Sequence, residues 1–377
     1  MKILYIIDSH PQNGGAPIST CSIATEFSNS LNSIYLMLPK QDKSYLLNDS
    51  IQTVELDGFE NTFPYFINQP ILAFKLIWKI RSKINLIKPD IIHVHMPRAA
   101  WGVGILKSLN LLSPKIKLIY TDRDQVNTYK WPLKKLSYFL IKKQFHKIVC
   151  LTDISANQWK NTEIETIPNS AGRNFEIYNR TFHNKVRKQN NISDEFTTVM
   201  FSGRMSPDKN WELAKRIAIS LKEEKIFFVF VIATVNREQE VWLQDFIKDL
   251  LLENVRHIIF NNVSQENMAD LYYLSDIFVL TSNKESFGRT AIEAMSRKSV
   301  VIGRKVGGIP EVIRLKENIL SDNVQEFHDR IIYYIQNPSV MNMDKELFYN
   351  RFIKEYSTYS NTKKHEILYK SVVNSKI

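Results

Sequence analysis

Short, mostly apolar runs recur along this chain, each separated from the next by a longer amphipathic stretch. KILYII (2–7), IIHVH (91–95), KLIYT (117–121), KIVCLT (147–152), TTVMFSG (197–203), FFVFVIAT (227–234), HIIF (257–260) and IFVLTS (277–282) read as strands. ILAFKLIWKIRSKINLI (71–87) and NWELAKRIAISLKEE (210–224) repeat apolar residues at helical spacing. A strand that is apolar on both sides must be covered on both faces, and the long intervals supply helices that can cover it. The alternation predicts an α/β chain whose parallel sheets carry helices on both faces.

The rhythm fails once. AGRNFEIYNRTFHNKVRKQNNISDEF (171–196) is polar, rich in Asn, Arg and Lys, and without a sustained period. It reads as a link between two halves, residues 1–170 and a second half that opens at TTVMFSG and runs over 197–355. A chain of 377 residues is also too long for one comfortable core. Two Rossmann-like domains facing each other across a cleft are expected, with ligands outside the carboxyl ends of the strands.

Composition removes several classes. Hydrophobic residues at 44% and charged residues at 24% are those of a soluble globular protein. No apolar run approaches the ~18–20 residues that cross a bilayer. The opening MKILYIIDSHPQ has too short an apolar core for a signal peptide and reads as a first buried strand. Cys21 and Cys150 stand far apart with no metal-ligand spacing, which suits a reducing cytoplasm. The net charge of +11 asks for an acidic partner: nucleic acid, an anionic membrane face or a phosphorylated substrate. No helix-turn-helix, zinc-finger or RNA-binding signature accompanies it, so no nucleic-acid partner is expected.

Glycine supplies only 11 of the 377 residues, about half the ~7% usual in globular proteins. Gly14, Gly15, Gly203, Gly288, Gly303, Gly307 and Gly308 fall at strand ends or helix starts. That placement favours close backbone approach to a ligand, although plain turns explain several of them. NKESFGRTAIEAM (283–295) follows the strand IFVLTS. A helix is expected from near Phe287, with Ser286 as its N-cap and free amides facing outward, an arrangement that suits a phosphate. Glu285 precedes this helix and Glu293 lies about two turns inside it. Flanking a phosphate, the two carboxylates could take hydroxyls on either side, a sugar at one end and a ribose at the other. The alternative is a solvated loop glutamate and an internal helix glutamate.

ESFGRTAIEAM followed by VVIGRKVGGIPEVI resembles the signature of retaining glycosyltransferases of family 4, which have the GT-B fold. HPQNGGAPIST (10–20) resembles that family's first-strand glycine loop, and FSGRMSPDKN (201–210) resembles the segment opening its second domain. YSTYSNTKKHEILYKSVV resembles its last helix, and the resemblance implies that residues 356–377 cross back to the first domain. It further implies that Arg204 and Lys209 hold the donor diphosphate, that Glu285 holds hydroxyls of the transferred sugar, and that Glu293 holds the ribose. Glu285, Arg204 and Lys209 are then the catalytic set. Gly14, Gly15, Gly203, Ser286, Phe287, Gly288 and Arg289 complete the donor contacts, with backbone near Val263 beside the nucleobase. Neither a metal nor a cofactor is implied; the nucleotide sugar is the substrate.

The pattern is broken in three places. Asn210 stands where the family has glycine after the lysine, and Asn261 and Asn262 where a glycine is common. In IYTDRDQVNTY, Arg123 stands near the position of a family histidine, flanked by Asp122 and Asp124. These three, with His93 and His95 on one side of IIHVH, are the acceptor-side candidates; strand-end packing is the other reading of the histidines. The acidic pair also resembles a D-x-D metal motif, but that belongs to a fold without two such halves. YKWPLKKLSYFLIKKQFHK (129–147) and FKLIWKIRSKINLIK (74–88) mix aromatic and cationic residues, as suits an anionic membrane surface, or else solvated lysines on packed helices. The expected function is transfer of a sugar from a nucleotide donor, with uridine the favoured base. The acceptor is a hydroxyl of a cell-surface glycan or a lipid-linked molecule. Transfer would take place in the cytoplasm or at the inner face of the membrane. A non-catalytic partner subunit of the same fold and a nucleotide-sugar epimerase are the alternatives.

Overall fold

The computed structural model describes residues 1–8, 15–28, 33–40, 50–57, 70–123, 126, 129–314 and 320–375. They divide into two compact units, residues 1–169 with 358–377, and residues 170–357.

Among the described residues the first unit has seven strands: β1 (Lys2–Ile6), β2 (Ser33–Pro39), β3 (Ile51–Leu56), β4 (Ile91–Val94), β5 (Lys117–Asp122), β6 (Lys147–Cys150) and β7 (Ile164–Thr166). Their order is β3-β2-β1-β4-β5-β6-β7 and every pairing is parallel. β1, β4 and β5 sit in the middle, so the side chains on both of their faces are buried, which is why their sequences are nearly continuous apolar runs. β2, β3 and β7 escaped the sequence reading. β3 lies at an edge with only its end residues Ile51 and Leu56 buried, and β7, the other edge, has only three residues.

The helix Thr358–Asn374 belongs to this first unit although the chain reaches it last. Leu368, Tyr369 and Val372 join Ile3, Tyr5 and Ile7 in one apolar cluster. The Tyr5 and Tyr369 hydroxyls meet at 3.0 Å, and Asn361 donates to the Pro168 carbonyl.

The second unit has five strands, β8 (Thr197–Arg204), β9 (Ile226–Ala233), β10 (His257–Asn261), β11 (Ile277–Leu280) and β12 (Val300–Gly303). They are all parallel, in the order β10-β9-β8-β11-β12. Chain order reverses between β8 and β11. The loops leaving these two neighbours diverge to opposite faces, and such a switch point is where α/β sheets bind ligands.

The segment expected to link the halves departs from that expectation. Residues 170–196 belong to the second unit and contain a helix, Arg180–Gln189, capped by the Asn179 side chain. Val186 and Arg187 of this helix are buried, and the Arg187 guanidinium makes the polar anchor. Arg187 donates to the carbonyls of Ser193 and Phe196 and lies 3.2 Å from Asp276. Burial would raise the Asp276 carboxyl, but Lys345, Thr198 and Arg187 together hold it well below the usual range. A segment fastened by charge and hydrogen bonds shows no hydrophobic period, so its sequence looks like a linker.

Candidate functional site

β8 ends at Arg204, and a single tight turn, Pro207–Lys209, brings the chain back across the switch point. Asn210 then adopts φ +52°, and its side chain caps the helix Trp211–Ser220 by accepting from the Leu213 amide. Asparagine tolerates the left-handed region better than most residues, so it replaces glycine here and adds a cap. Lys209 packs its stem over Gly203, where an added Cβ would lie 3.3 Å from the lysine Cγ.

The loop after β11 is cross-linked to this turn. Thr281 donates through Oγ1 to the Lys209 carbonyl at 2.9 Å, and the Asn283 amide donates to the Asp208 carbonyl at 2.8 Å. The two loops bring together residues 76 positions apart: Lys209 Nζ lies 2.6 Å from Glu285 Oε2. Glu285 Oε1 accepts from the Gly288 amide at 3.1 Å. Its backbone is held as tightly, because the Gly308 amide donates to the Glu285 carbonyl at 3.0 Å. A Cβ on Gly307 would stand 1.8 Å from that same carbonyl oxygen. The GGIPE glycine at 307 therefore serves to fix Glu285 against the protein itself.

The following helix corrects the sequence reading. It spans Arg289–Ser296 and is preceded by Gly288 at φ +90°, with no side-chain cap from Ser286. Phe287 is buried against the Tyr356 ring, 5.9 Å between centroids, and acts as an anchor ahead of the helix. Anchoring Phe287 forces the reversal onto residue 288, where glycine meets the positive φ at little cost. Ser286 stays partly exposed in the turn.

Glu293 is buried, with Oε1 3.0 Å from Arg289 Nε one turn earlier. Burial raises its carboxyl, opposed by Arg289 and the hydroxyl of Tyr272. Arg289 also donates to the Ala171 carbonyl. Arg204 has an exposed side chain and, among the described residues, forms no ion pair, while its carbonyl accepts from Trp211 Nε1 at 2.7 Å. Val263, in the loop after β10, lines a cavity of about 590 Å³ with Asn262, Ser264 and Phe260. Strands lie ~4.8 Å apart, so the loops after β10, β8 and β11 share one sheet edge over roughly 14 Å.

In the first unit the candidates form a buried polar layer. His93 contacts the Tyr369 hydroxyl through Nδ1 and Thr121 Oγ1 through Nε2, both at 2.7 Å. His95 packs against it with ring centroids 4.1 Å apart and planes tilted by 35°, and its Nδ1 accepts from the Arg123 guanidinium at 3.2 Å. Burial holds both imidazoles well below their usual range, helped for His93 by His365 and Arg123, and for His95 by His93, Arg123 and His365. Arg123 also donates to Asn169 Oδ1, which Ser19 shares. Asp122 is buried and accepts from Trp159 Nε1 at 2.7 Å. His93, His95, Asp122 and Arg123, expected on the acceptor side, are thus all enclosed in the packing of the unit. Gly15 opens the helix Gly15–Ser28, whereas Gly14 and Asp124 lie outside the described residues. Among the described residues, no group of three or more His, Cys, Asp or Glu is placed to share a metal ion.

One acidic residue escaped the sequence reading. Asp8, just past β1 at the carboxyl edge of the first sheet, is buried and accepts from the Ala99 amide at 3.1 Å. Burial pushes its carboxyl up to about 6 against the pull of Arg98. Its only trace in the sequence is a carboxylate directly behind the apolar run KILYII.

Residues 182–352 match the family model described as glycosyl transferases group 1, and residues 13–171 match glycosyltransferase family 4. The sulfoquinovosyl transferase SQD2 of Arabidopsis thaliana is 26% identical over 264 residues, 66% of this chain and 49% of that protein. The lipopolysaccharide 1,2-N-acetylglucosaminetransferase of Salmonella typhimurium is 24% identical over 202 residues, 50% of this chain and 52% of that protein. The chain thus spans about half the length of these curated relatives. Among solved structures, Anabaena Alr3699/HepE in complex with UDP and glucose superposes with a TM-score of 0.79 at 17% identity, covering 98% of this chain and 100% of that one. A glycosyltransferase from Rickettsia africae gives 0.78 at 18% identity, with 100% and 99% covered.

Proposed function

The chain belongs to the glycosyltransferases of group 1 and family 4 with the GT-B fold, and from that premise we propose that it transfers a sugar from a UDP-linked donor to a hydroxyl. The acceptor is a cell-surface glycan or a lipid-linked molecule reached at the cytoplasmic face of a membrane, and the anomeric configuration is retained. The observation that carries this reading is the Lys209–Glu285 pair, 2.6 Å apart at the switch point of the second sheet, where β8 ends at Arg204. A cation and a carboxylate held there can divide a nucleotide sugar between them. Lys209 and Arg204 take the diphosphate, and Glu285, released from Lys209, accepts hydrogen bonds from the sugar hydroxyls.

The bond from the anomeric carbon to the phosphate oxygen breaks first, leaving an oxocarbenium-like centre and negative charge on the diphosphate. In this reading Lys209 and Arg204 neutralise that charge as it develops, which is where fixed cations accelerate a reaction most. The acceptor oxygen bonds to the same face of the carbon, and its proton passes to the departing phosphate. Glu293, buried against Arg289, takes the ribose, and the backbone near Val263 lies beside the base. The test is incubation with a panel of nucleotide sugars followed by detection of free nucleoside diphosphate. Release from a UDP-sugar that falls at least ~100-fold in Glu285→Ala supports the reading; undiminished release in that variant refutes it.

A further inference from the structure

The helix Pro70–Ile87 of the first unit turns Ile77, Ile80 and Ile84 into the core beneath the sheet. Its other side presents Ile71, Phe74 and Trp78 to solvent, with exposures of 74%, 60% and 48%. Their spacing of three and four places them in one stripe, beside a second stripe of Lys75, Lys79 and Lys83. The helix Leu133–Gln144 is built alike: Ile141 is in the same core, while Leu136, Phe139 and, just ahead of it, Trp131 are exposed. Between these helices runs Pro97–Ser108, whose Gly102 faces Ile77 and Ile80 and whose Gly104 faces Leu140. Trp101 Nε1 donates to Ser137 Oγ at 2.9 Å. The two exposed helices thus flank a third on one side of the sheet.

Charge follows the same boundary. Residues 70–88 hold five Lys or Arg and residues 129–147 hold six, with no Asp or Glu in either segment. Those eleven equal the net charge of the whole chain, +11, so the remaining residues are balanced. Ordinary solvated helices intersperse acidic residues among their lysines, and these do not. We propose that this side of the first unit docks on an anionic phospholipid surface. The lysines meet the headgroup phosphates, and Ile71, Phe74, Trp78 and Phe139 enter the interfacial layer. Arg81 lies 4.7 Å over the Trp78 ring and Lys143 5.7 Å over Phe139, so these two inserted rings each have a cation beside them. Nucleic acid would satisfy the charge but would leave aliphatic residues such as Ile71 in water, whereas a bilayer removes them from it.

This deepens the reading of a membrane-borne acceptor and rests on it for its purpose, but lipid binding itself requires no donor. Co-sedimentation of the full chain with vesicles of phosphatidylcholine, alone or with about a third phosphatidylglycerol, tests it. The parent should bind the anionic vesicles at least ~10-fold more strongly, and Lys75→Gln/Lys79→Gln/Lys135→Gln/Lys143→Gln should remove that preference. Brominated lipid should quench part of the parent's tryptophan fluorescence, and Phe74→Ser alone should weaken both that quenching and the binding. All five side chains are exposed, so thermal melts should match the parent. Donor turnover on a soluble acceptor, measured on the same variants, reports the transferase reading separately and should not change. Equal binding to both vesicle types, or retention on DNA without vesicle binding, overturns the proposal.

Discussion

Removing the Glu285 carboxylate should move two measurements in opposite directions. In the free protein Lys209 is committed to Glu285 at 2.6 Å, with the two side chains only 21% and 14% exposed. A diphosphate must compete for that ammonium, and a partly buried pair of this kind is worth about 1 kcal/mol, between surface and buried values. Glu285→Ala frees Lys209 and also the Gly288 amide that Oε1 occupies. UDP should therefore bind that variant no more weakly than the parent, and up to ~5-fold more tightly. Transfer should collapse, because two hydrogen bonds to a charged group, at ~1.5–3 kcal/mol each, are lost from the sugar. That predicts a fall in kcat/KM of ~10²–10⁴. Calorimetry with UDP and a coupled assay of nucleoside diphosphate release measure the two effects, and Lys209→Ala serves as the contrast, weakening both. If Glu285→Ala bound UDP ten times more weakly, or still transferred sugar at the parent rate, the division of labour between lysine and carboxylate would be wrong.

Gly307→Ala should destabilise the second unit by ~3 kcal/mol or more, since its Cβ would stand 1.8 Å from the Glu285 carbonyl and φ is already +53°; denaturant midpoints check this, and transfer should fall with it. Asn210→Gly exchanges relief at φ +52° for the lost cap on Leu213, so stability should change by less than ~1 kcal/mol and activity should persist. Asp8 has its carboxyl raised from 3.8 to about 6, so its contribution to stability is complete below about pH 4 and is lost as pH rises through about 6. Asp8→Asn keeps an acceptor for the Ala99 amide and should gain on the parent between pH 4.5 and 7, by about 2 kcal/mol. Unfolding curves at the two pH values that show no such divergence would contradict the buried, protonated carboxyl.

Much of the fold could be read from periodicity. The central strands β1, β4, β5, β8, β9 and β11 are enclosed on both faces, and enclosure leaves continuous apolar runs that no surface helix imitates. β3 and β7 lie at edges, one half-exposed and one only three residues long, and leave little trace. Residues 171–196 misled for a different reason: Arg187 and Arg297 hold that segment by donating to carbonyls such as Ser193, Phe196 and Phe175, and hydrogen bonds to backbone carry no residue period.

The candidate site divides along the same line. Arg204, Lys209 and Glu285 stand at a strand end and in the loops after β8 and β11, and Glu293 inside a helix, and those positions follow from the local pattern of the chain. Their relations do not. Lys209 meets Glu285 across 76 residues only because β8 and β11 are neighbours in the sheet. Gly307 presses on the Glu285 carbonyl only because the loop after β12 folds back over it. His93 and Asp122 looked available from their strands, yet Tyr369 on the last helix and Trp159 close over them. Local sequence sets which backbone states and which side-chain chemistry each segment offers. Contacts between distant segments exist only once the sheet has set strand order, and that step decides which charges pair, which are buried and which remain free to meet a substrate.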